Sequence, residues 1–285
     1  MNKRNLLVTV SAGESSLYMA QWLWENKKEE YNMVFVFANT GQEREESIKF
    51  LLRCEANFGF KIHYIESVVH HKSKKSSTYI EVPPAYLDFS GKVFEGMIKK
   101  YGIPNKAYPH CTRELKNNPI KWFAKDYFKG ESYLLALGIR EDEMDRVNPK
   151  YKEFGIIYPL ITMRRMTKAK INFWWSQQHF RLELKGYEGN CSWCWKKSDK
   201  KLYLIAIENK EAFDFPMKME EKYKFNKIKK GVEVQEPKVF FRGKRSTIEL
   251  LEYAESIKDN LKVKDENDIY DPTESCEIFS NCGDF

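Results

Sequence analysis

The sequence predicts an α/β protein: a doubly wound, mostly parallel five-stranded sheet, followed by a helical, cysteine-containing C-terminal region. Two observations carry this prediction. Short apolar runs of strand length alternate with longer segments whose apolar residues recur at helical spacing, the pattern of βαβ units. A small-residue loop, Ser11–Ser16, directly follows the first of those runs, where open α/β sheets bind ligands.

The elements follow in order. Asn5–Val10 is long enough for one buried strand, and Leu17, Met19, Ala20, Leu23 and Trp24 then recur on one side of a helix. Met33–Ala38 is a second buried strand, broken by Asn39-Thr40-Gly41. Gln42–Phe58 reads as a helix with Ile48, Leu51 and Leu52 on one side, and Lys61–Glu66 as a third strand. Residues 67–92 interrupt the rhythm with His70, His71, Lys72, Lys74, Lys75 and the pair Pro83-Pro84, so they read as a basic insertion. Residues 93–102 and 112–128 are helical. Tyr133–Ile139 is a fourth strand and Ile156–Leu160 a fifth. Thr167–Gln178 is a helix with a Thr cap, and its Trp174-Trp175 pair, with Phe173 and Phe180, reads as core. Residues 198–225 and 247–257 are helical. The predicted divisions are 1–180 for the sheet domain, 181–264 for the helical cysteine region and 265–285 for an acidic tail.

At 285 residues, 42% apolar and 31% charged, the chain can bury a sizeable core, and its composition argues against wholesale disorder. No stretch reaches the roughly 18 apolar residues of a membrane span. The opening residues make no secretory signal, which leaves the cytoplasm as the expected location. Six cysteines are too few for a disulfide scaffold and read as metal or redox ligands. The net charge of +7 is uneven: residues 265–285 hold seven acids and no Lys or Arg, leaving 48 bases against 34 acids before them, a balance of +14. That body suits a polyanion such as a nucleotide or RNA; solvated lysine-rich faces are the plainer reading.

Neither G-x-x-x-x-G-K-[ST] nor any G-x-G occurs, which disfavours a Walker P-loop and a dinucleotide-binding Rossmann domain. In Ser11–Ser16, small side chains let backbone N–H groups approach an anion, the following helix N-terminus adds partial positive charge, and Ser11, Ser15 and Ser16 add hydroxyls. An ordinary tight βα turn would look the same.

Four segments, in order, carry a resemblance. Ser11-Ala12-Gly13-Glu14-Ser15-Ser16 resembles the Ser-Gly-Gly-x-Asp-Ser pyrophosphate loop of the PP-loop ATP pyrophosphatases, with Ala12 in place of a Gly and Ser15 in place of Asp. Phe37–Glu43, Cys111–Lys116 and Gly138–Arg146 resemble the F-x-[ND]-T-G-x-E, C-T-R-x-L-K and G-I-R-x-D-E-x-x-R segments of that superfamily's phosphoadenosine phosphosulfate (PAPS) reductase branch. The resemblance spans residues 5 to 200 and implies a HUP-like fold that binds ATP with Mg²⁺. It implies nucleotide contacts from Ser11–Ser16, Asn39, Thr40, Gly41 and Gly138. Arg113, Arg140 and Arg146, with Lys116, are cations suited to phosphate or sulfate oxygens. Without the resemblance, Arg140, Asp142, Glu143 and Arg146 read equally as a surface ion-pair ladder.

Cys191-Ser192-Trp193-Cys194 places two sulfurs within reach of one metal. The resemblance implies that Cys111 returns to the same place. Three cysteines suffice for a 4Fe–4S cluster with one open iron, as proposed for Fe–S-dependent tRNA thiolases of this superfamily. A fourth ligand from His110, Cys276 or Cys282 would close the site, and a closed Cys/His set suits Zn²⁺. A redox pair and ordinary thiols remain alternatives, and Cys54 reads as core. Cys282-Gly283 faintly echoes the Glu-Cys-Gly-x-His segment that carries the sulfur-attacking cysteine of PAPS reductases, and no His follows it.

Three functions follow. The first is an ATP-dependent enzyme that activates a nucleic-acid base, in tRNA or DNA, for sulfur received from a donor protein. The second is a reductant-dependent sulfonucleotide reductase. The third is a non-catalytic nucleotide- or nucleic-acid-binding protein with a structural zinc. The short, variant motif set is compatible with a phage or mobile-element protein.

Overall fold

The computed structural model describes residues 3–226 and 236–261. Its centre is one sheet in the order β4-β3-β2-β1-β5-β6. The strands are β1 (Arg4–Thr9), β2 (Tyr31–Asn39), β3 (Ile62–Val68), β4 (Thr78–Glu81), β5 (Leu134–Ala136) and β6 (Ile156–Ile157). All neighbours are parallel except β3 and β4. Six strands replace the five expected. The extra one, β4, lies inside the basic insertion: Thr78-Tyr79-Ile80-Glu81 is too short a run to stand out in sequence, and it forms because the edge of β3 supplies its hydrogen bonds. Its four residues and exposed Glu81 suit a sheet edge.

The central strands are buried on both sides, and their side chains alternate with period two. Leu6, Val8, Phe35 and Phe37 face one layer, with α1 (Glu14–Lys27), α2 (Glu45–Phe58) and, later in the chain, Trp175. Leu7, Val34, Val36 and Leu135 face the other, with Ile120 and Phe123. This is the doubly wound arrangement. Cys54 is fully buried in the first layer. Trp175 and Phe180 are core there as expected, whereas Phe173 is exposed, because the helix turns that position outward.

A third apolar cluster builds a helical lobe. It joins α3 (Lys92–Tyr101) to Trp193 and to the later helices α8 (Asp199–Glu208), α9 (Asp214–Tyr223) and α10 (Thr247–Ser256). The segment 198–225, read as one helical stretch, breaks between α8 and α9, where Asn209 caps a short 3-10 turn. Cys111 and Leu115 also belong to this cluster. They lie on a rod formed by α4 (His110–Thr112), a π-helical turn (Arg113–Asn117) and α5 (Asn118–Tyr127). The lobe therefore packs residues from both sides of position 180 in one core. The remaining helices, α6 (Pro159–Thr162) and α7 (Lys168–Ser176), flank β6 and α1. Among the described residues, no helix is long and apolar enough to cross a membrane.

Candidate functional site: a loop cleft beside a cysteine cavity

The first site lies beyond the carboxyl ends of β1 and β5. After Thr9 the chain turns through Ser11–Gly13 into α1, with Ala12 in the left-handed region at φ 60°. A non-glycine residue there is strained, and the position is the one where the resembling loop has Gly. The Ser16 hydroxyl knots the turn: it accepts from the Ser11 amide at 3.1 Å and donates to the Gly13 carbonyl at 2.9 Å. With Ser11 Oγ also 3.2 Å away, Ser16 shapes the loop from within while still lining the cleft. Gly13 is the N-cap of α1 and no side chain closes that end, leaving the first-turn amides and the partial positive charge toward the cleft. Trp175 Nε1 donates to the Glu14 carbonyl at 3.0 Å and pins this turn against α7.

Gly138 passes close beside the same turn. A Cβ on it would stand 3.0 Å from Ser16 Cα and 3.3 Å from Ser16 N. Only glycine lets the chain after β5 lie this near to α1. Arg140 then reaches back, donating from Nη1 to Ser15 Oγ at 3.0 Å. Ser15, where the resembling loop carries Asp, thus links the loop to the far wall.

The cleft encloses about 400 Å³, within the roughly 300–1,000 Å³ of small-molecule sites. Besides the Ser11–Ser16 loop, Gly138 and Arg140, its walls are Lys168 and Asn172 of α7 and the chain from Arg181 to Asn190. Four wall cations, Arg140, Lys168, Arg181 and Lys185, meet two wall carboxylates, Glu14 and Glu143. Ion pairs hold several of them in place. Arg181 grips Glu14 with two bonds of 3.0 and 3.1 Å, Arg140 Nε pairs with Asp142 at 2.9 Å, and Lys185 Nζ pairs with Glu208 at 2.9 Å. Asp142 is held below the usual carboxylate range: burial opposes this, but the Lys168 amide and Arg140 outweigh it.

The ion-pair ladder expected of this segment is therefore real, and it does not exclude a ligand role for Arg140. Arg146 differs: it stands behind Glu143, donates to its carboxylate, and is off the cleft wall. Lys168, Arg181 and Lys185 were not among the expected residues. They come from segments far from any motif, and only folding brings them to the loop.

Asn39, Thr40 and Gly41 do not wall this cleft. Asn39 is fully buried; its amide donates to Glu66 at 2.7 Å and to the Asp88 carbonyl at 2.9 Å, and its oxygen accepts from the Gly41 amide. Its polar atoms close the end of β2. Thr40 serves a second cavity, which it lines with Cys111, Cys191, Cys194, Lys116, Phe94, Trp193 and Trp195. The side chains of these three residues, expected beside a nucleotide, lie off this cleft wall.

That second cavity holds about 20 Å³. Thr40 Oγ1 lies 3.3 Å from Cys191 Sγ and also contacts Glu43, whose carboxylate accepts from the Thr40 amide at 2.9 Å; Lys116 Nζ is 3.8 Å from Glu43. The C-x-x-C turn is clamped from two sides. Gln42 accepts from the Ser192 amide at 3.2 Å and from Trp193 Nε1 at 2.5 Å, while Lys196 Nζ donates to Thr112 Oγ1 at 3.1 Å. The three cysteines expected to converge thus face one space. Burial, then Glu43, pushes the Cys191 thiol up, against Lys116 and the Thr40 hydroxyl. Burial pulls the Lys197 ammonium down.

The donor chemistry suits a thiophilic metal: three soft sulfurs, with Lys116 beside them to offset thiolate charge. The geometry is not preformed, since among the described residues no three His, Cys, Asp or Glu stand arranged to hold a metal ion. Cys276 and Cys282 lie outside the described residues. The two cavities are consecutive in the chain: Asn190, at φ 61°, ends the cleft wall and Cys191 opens the cysteine cavity.

Arg113 lies away from the cleft. Its Nε donates to Glu114 at 2.9 Å, its Nη2 meets His110 Nδ1 at 3.3 Å, and it covers the Tyr101 ring. Glu114 is buried and also accepts from Ser77 N at 3.0 Å and Ser77 Oγ at 2.7 Å. Burial raises its pKa, but the Arg113 and Ser77 bonds outweigh burial and hold it below the usual carboxylate range. A depressed carboxylate contributes stability above its unfolded pKa, and that stability is lost as pH falls through the folded value. Urea midpoints between pH 6 and about 3 should therefore fall less steeply in Glu114→Gln than in the parent. Parallel curves would show that this carboxylate is not held ionised.

No family profile matches the chain. It is 29% identical over 295 residues to an uncharacterized nin region protein of Escherichia phage lambda, covering 98% of this chain and 97% of that one. It is 25% identical over 177 residues to an uncharacterized protein of Methanocaldococcus jannaschii, covering 62% of this chain and 30% of the other's length. Two solved structures are similar. One is a phosphoadenylyl-sulfate (PAPS) reductase of Candida auris in its phosphate complex (14% identity, TM-score 0.37, covering 62% of this chain and 74% of that one). The other is a U34-tRNA thiolase of Methanococcus maripaludis with its 4Fe–4S cluster (16% identity, TM-score 0.41, covering 98% and 80%).

Proposed function

We propose that the chain is a PP-loop enzyme of the PAPS reductase-like branch that binds ATP and activates a nucleic-acid base for sulfur transfer. One observation carries the reading: the Ser11–Ser16 loop, Gly138 and Arg140 wall a cleft also lined by Asn190, and the next residue, Cys191, lines a separate cavity with Cys111 and Cys194. An anion site and a sulfur site one residue apart suit a reaction that couples phosphate chemistry to sulfur chemistry.

In this reading the uncapped first turn of α1 receives phosphate oxygens, and Arg140, anchored by Ser15 and Asp142, adds a planar charged donor. A substrate carbonyl oxygen attacks the α-phosphate, and the bond to pyrophosphate breaks. Lys168, which lines the same cleft, offsets the departing charge. Cys111, Cys191 and Cys194 would hold a metal centre, iron–sulfur or zinc, which when bound supplies a site for sulfur. Phe94, Trp193 and Trp195 keep water from it.

The test is anaerobic purification with iron, zinc and acid-labile sulfide analysis, followed by pyrophosphate release from ATP with and without RNA. Bound metal and RNA-stimulated pyrophosphate release support the reading. Thioredoxin-dependent sulfite release from PAPS without pyrophosphate would replace it with the sulfonucleotide reductase.

A further inference from the structure

A strip of alternating rings and cations crosses the surface beside the cysteine cavity, outside the site described above. It begins at Trp122, whose ring has Lys75 Nζ and Lys125 Nζ each 5.1 Å from its centroid. The Lys75 carbonyl accepts from Lys100 Nζ at 2.7 Å. Lys100 lies 4.9 Å over Tyr101, whose ring is also covered by Arg113 at 5.7 Å. Arg113 meets His110, and the His110 ring stacks with Tyr108 at 5.9 Å and 20°. The next residue along the chain is Cys111. Three elements meet here: the β3–β4 loop, the end of α3 and the rod of α4 and α5.

The strip is built rather than accidental. Buried Glu114 holds it from beneath, binding Arg113 and the Ser77 that follows the lysine-rich loop. Asp126, the nearest acid on α5, already accepts from the Tyr79 hydroxyl at 3.1 Å. Residues 70–76 carry no acid. Tyr108, Lys72, Lys74, Lys75 and Lys125 are exposed. Half-exposed rings with lysines lying over them fit one chemistry well: the lysines swing from the rings to phosphates, and unpaired bases take their places on the rings. An anionic membrane would use the lysines and find no large apolar wedge among them, and a duplex would offer its phosphates but no open base faces.

We propose that the strip from Trp122 to Tyr108 is a docking surface for a nucleic acid with unpaired bases, leading toward Cys111. It deepens the proposed function by placing the acceptor on the protein, and it rests on that reading only for what happens once the acceptor arrives. RNA loops and single-stranded DNA share the required chemistry.

The test uses the whole chain with fluorescent 20-nucleotide single-stranded RNA, the same sequence as DNA, and a duplex of it, in anisotropy titrations at two salt concentrations. Two variants are compared with the parent, Lys74→Glu/Lys75→Glu and Trp122→Ala, after melting curves establish that each is folded. Both should weaken single-strand binding by about tenfold or more, a loss of the size that base stacking and phosphate contacts carry. The lysine variant should also flatten the salt dependence by roughly 0.7 in log–log slope per lost phosphate contact. ATP affinity, measured in parallel, should not change. The relative strength of the RNA and DNA arms identifies the natural strand. The proposal is overturned if the parent binds no oligonucleotide, if folded variants bind as the parent does, if the duplex binds as tightly as the single strands, or if anionic phosphatidylserine vesicles bind in their place. Oligonucleotide binding lost in the variants, in a protein that binds no ATP, would sustain the docking surface and reject the ATP-dependent reading.

Discussion

Gly138→Ala is expected to weaken ATP binding by about tenfold to a hundredfold, and Gly138→Val by more. The added carbon would stand 3.0 Å from Ser16 Cα and 3.3 Å from both Ser16 N and Ser16 Cβ. None of these atoms is the free end of a flexible side chain. β5 is paired with both β1 and β6, and the first turn of α1 is pinned by Trp175, so neither neighbour can yield alone. Forcing extra atoms into such packing costs about 1–3 kcal/mol. That strain falls on the turn whose amides would receive phosphate, and 1.4 kcal/mol is tenfold in affinity. Isothermal titration with ATP and Mg²⁺, beside a melting curve, checks this. If both variants stay folded and bind like the parent, the loop is an ordinary βα turn.

The second large effect concerns the sulfurs. The double change Cys191→Ser and Cys194→Ser should abolish metal retention after anaerobic purification, and Cys111→Ser alone should do so nearly as completely. Serine keeps the size but replaces a soft, readily ionised donor with a hard hydroxyl, which iron and zinc hold poorly beside a hydrophobic wall. Cys54→Ser is the control: Cys54 is buried in the sheet core, away from this cavity, and its loss should leave metal content intact. Iron with equimolar sulfide would mean that Phe94, Trp193 and Trp195 move apart, because the space of about 20 Å³ suits one ion better than a four-iron cube. Zinc alone would fit with less movement. A Cys111→Ser protein that keeps all its metal would show that the three sulfurs share a cavity without sharing an ion.

Much of this was legible along the chain. The strands of the sheet centre could be read because burial on both faces demands runs such as Leu6-Leu7-Val8 and Met33–Ala38. The loop at Ser11–Ser16 and the pair at Cys191–Cys194 could be read because the chemistry of each is local: small residues before a helix, two thiols three residues apart. β4 could not, since four residues become a strand only when a partner edge supplies the bonds. The partners of Asn39 and Thr40 could not be read, because their motif marks a place at the end of β2 and not the direction of each side chain. Arg113 and Arg146 stand off the cleft wall for a related reason: a guanidinium pairs with whichever carboxylate folding brings near, here Glu114 and Glu143.

The chain alone determined an alternating α/β architecture, a glycine-containing turn after the first strand and a C-x-x-C thiol pair, because each depends on neighbours within a few residues. Tertiary structure decided that Lys168, Arg181 and Lys185 face that turn, that Cys111 and Thr40 join the thiol pair, and that Trp122, Tyr101 and Tyr108 form one strip. Those groupings join residues as far apart in the chain as Ser11 and Lys185, and only the packing of helices against the sheet and of the helical lobe against α3 brings them together.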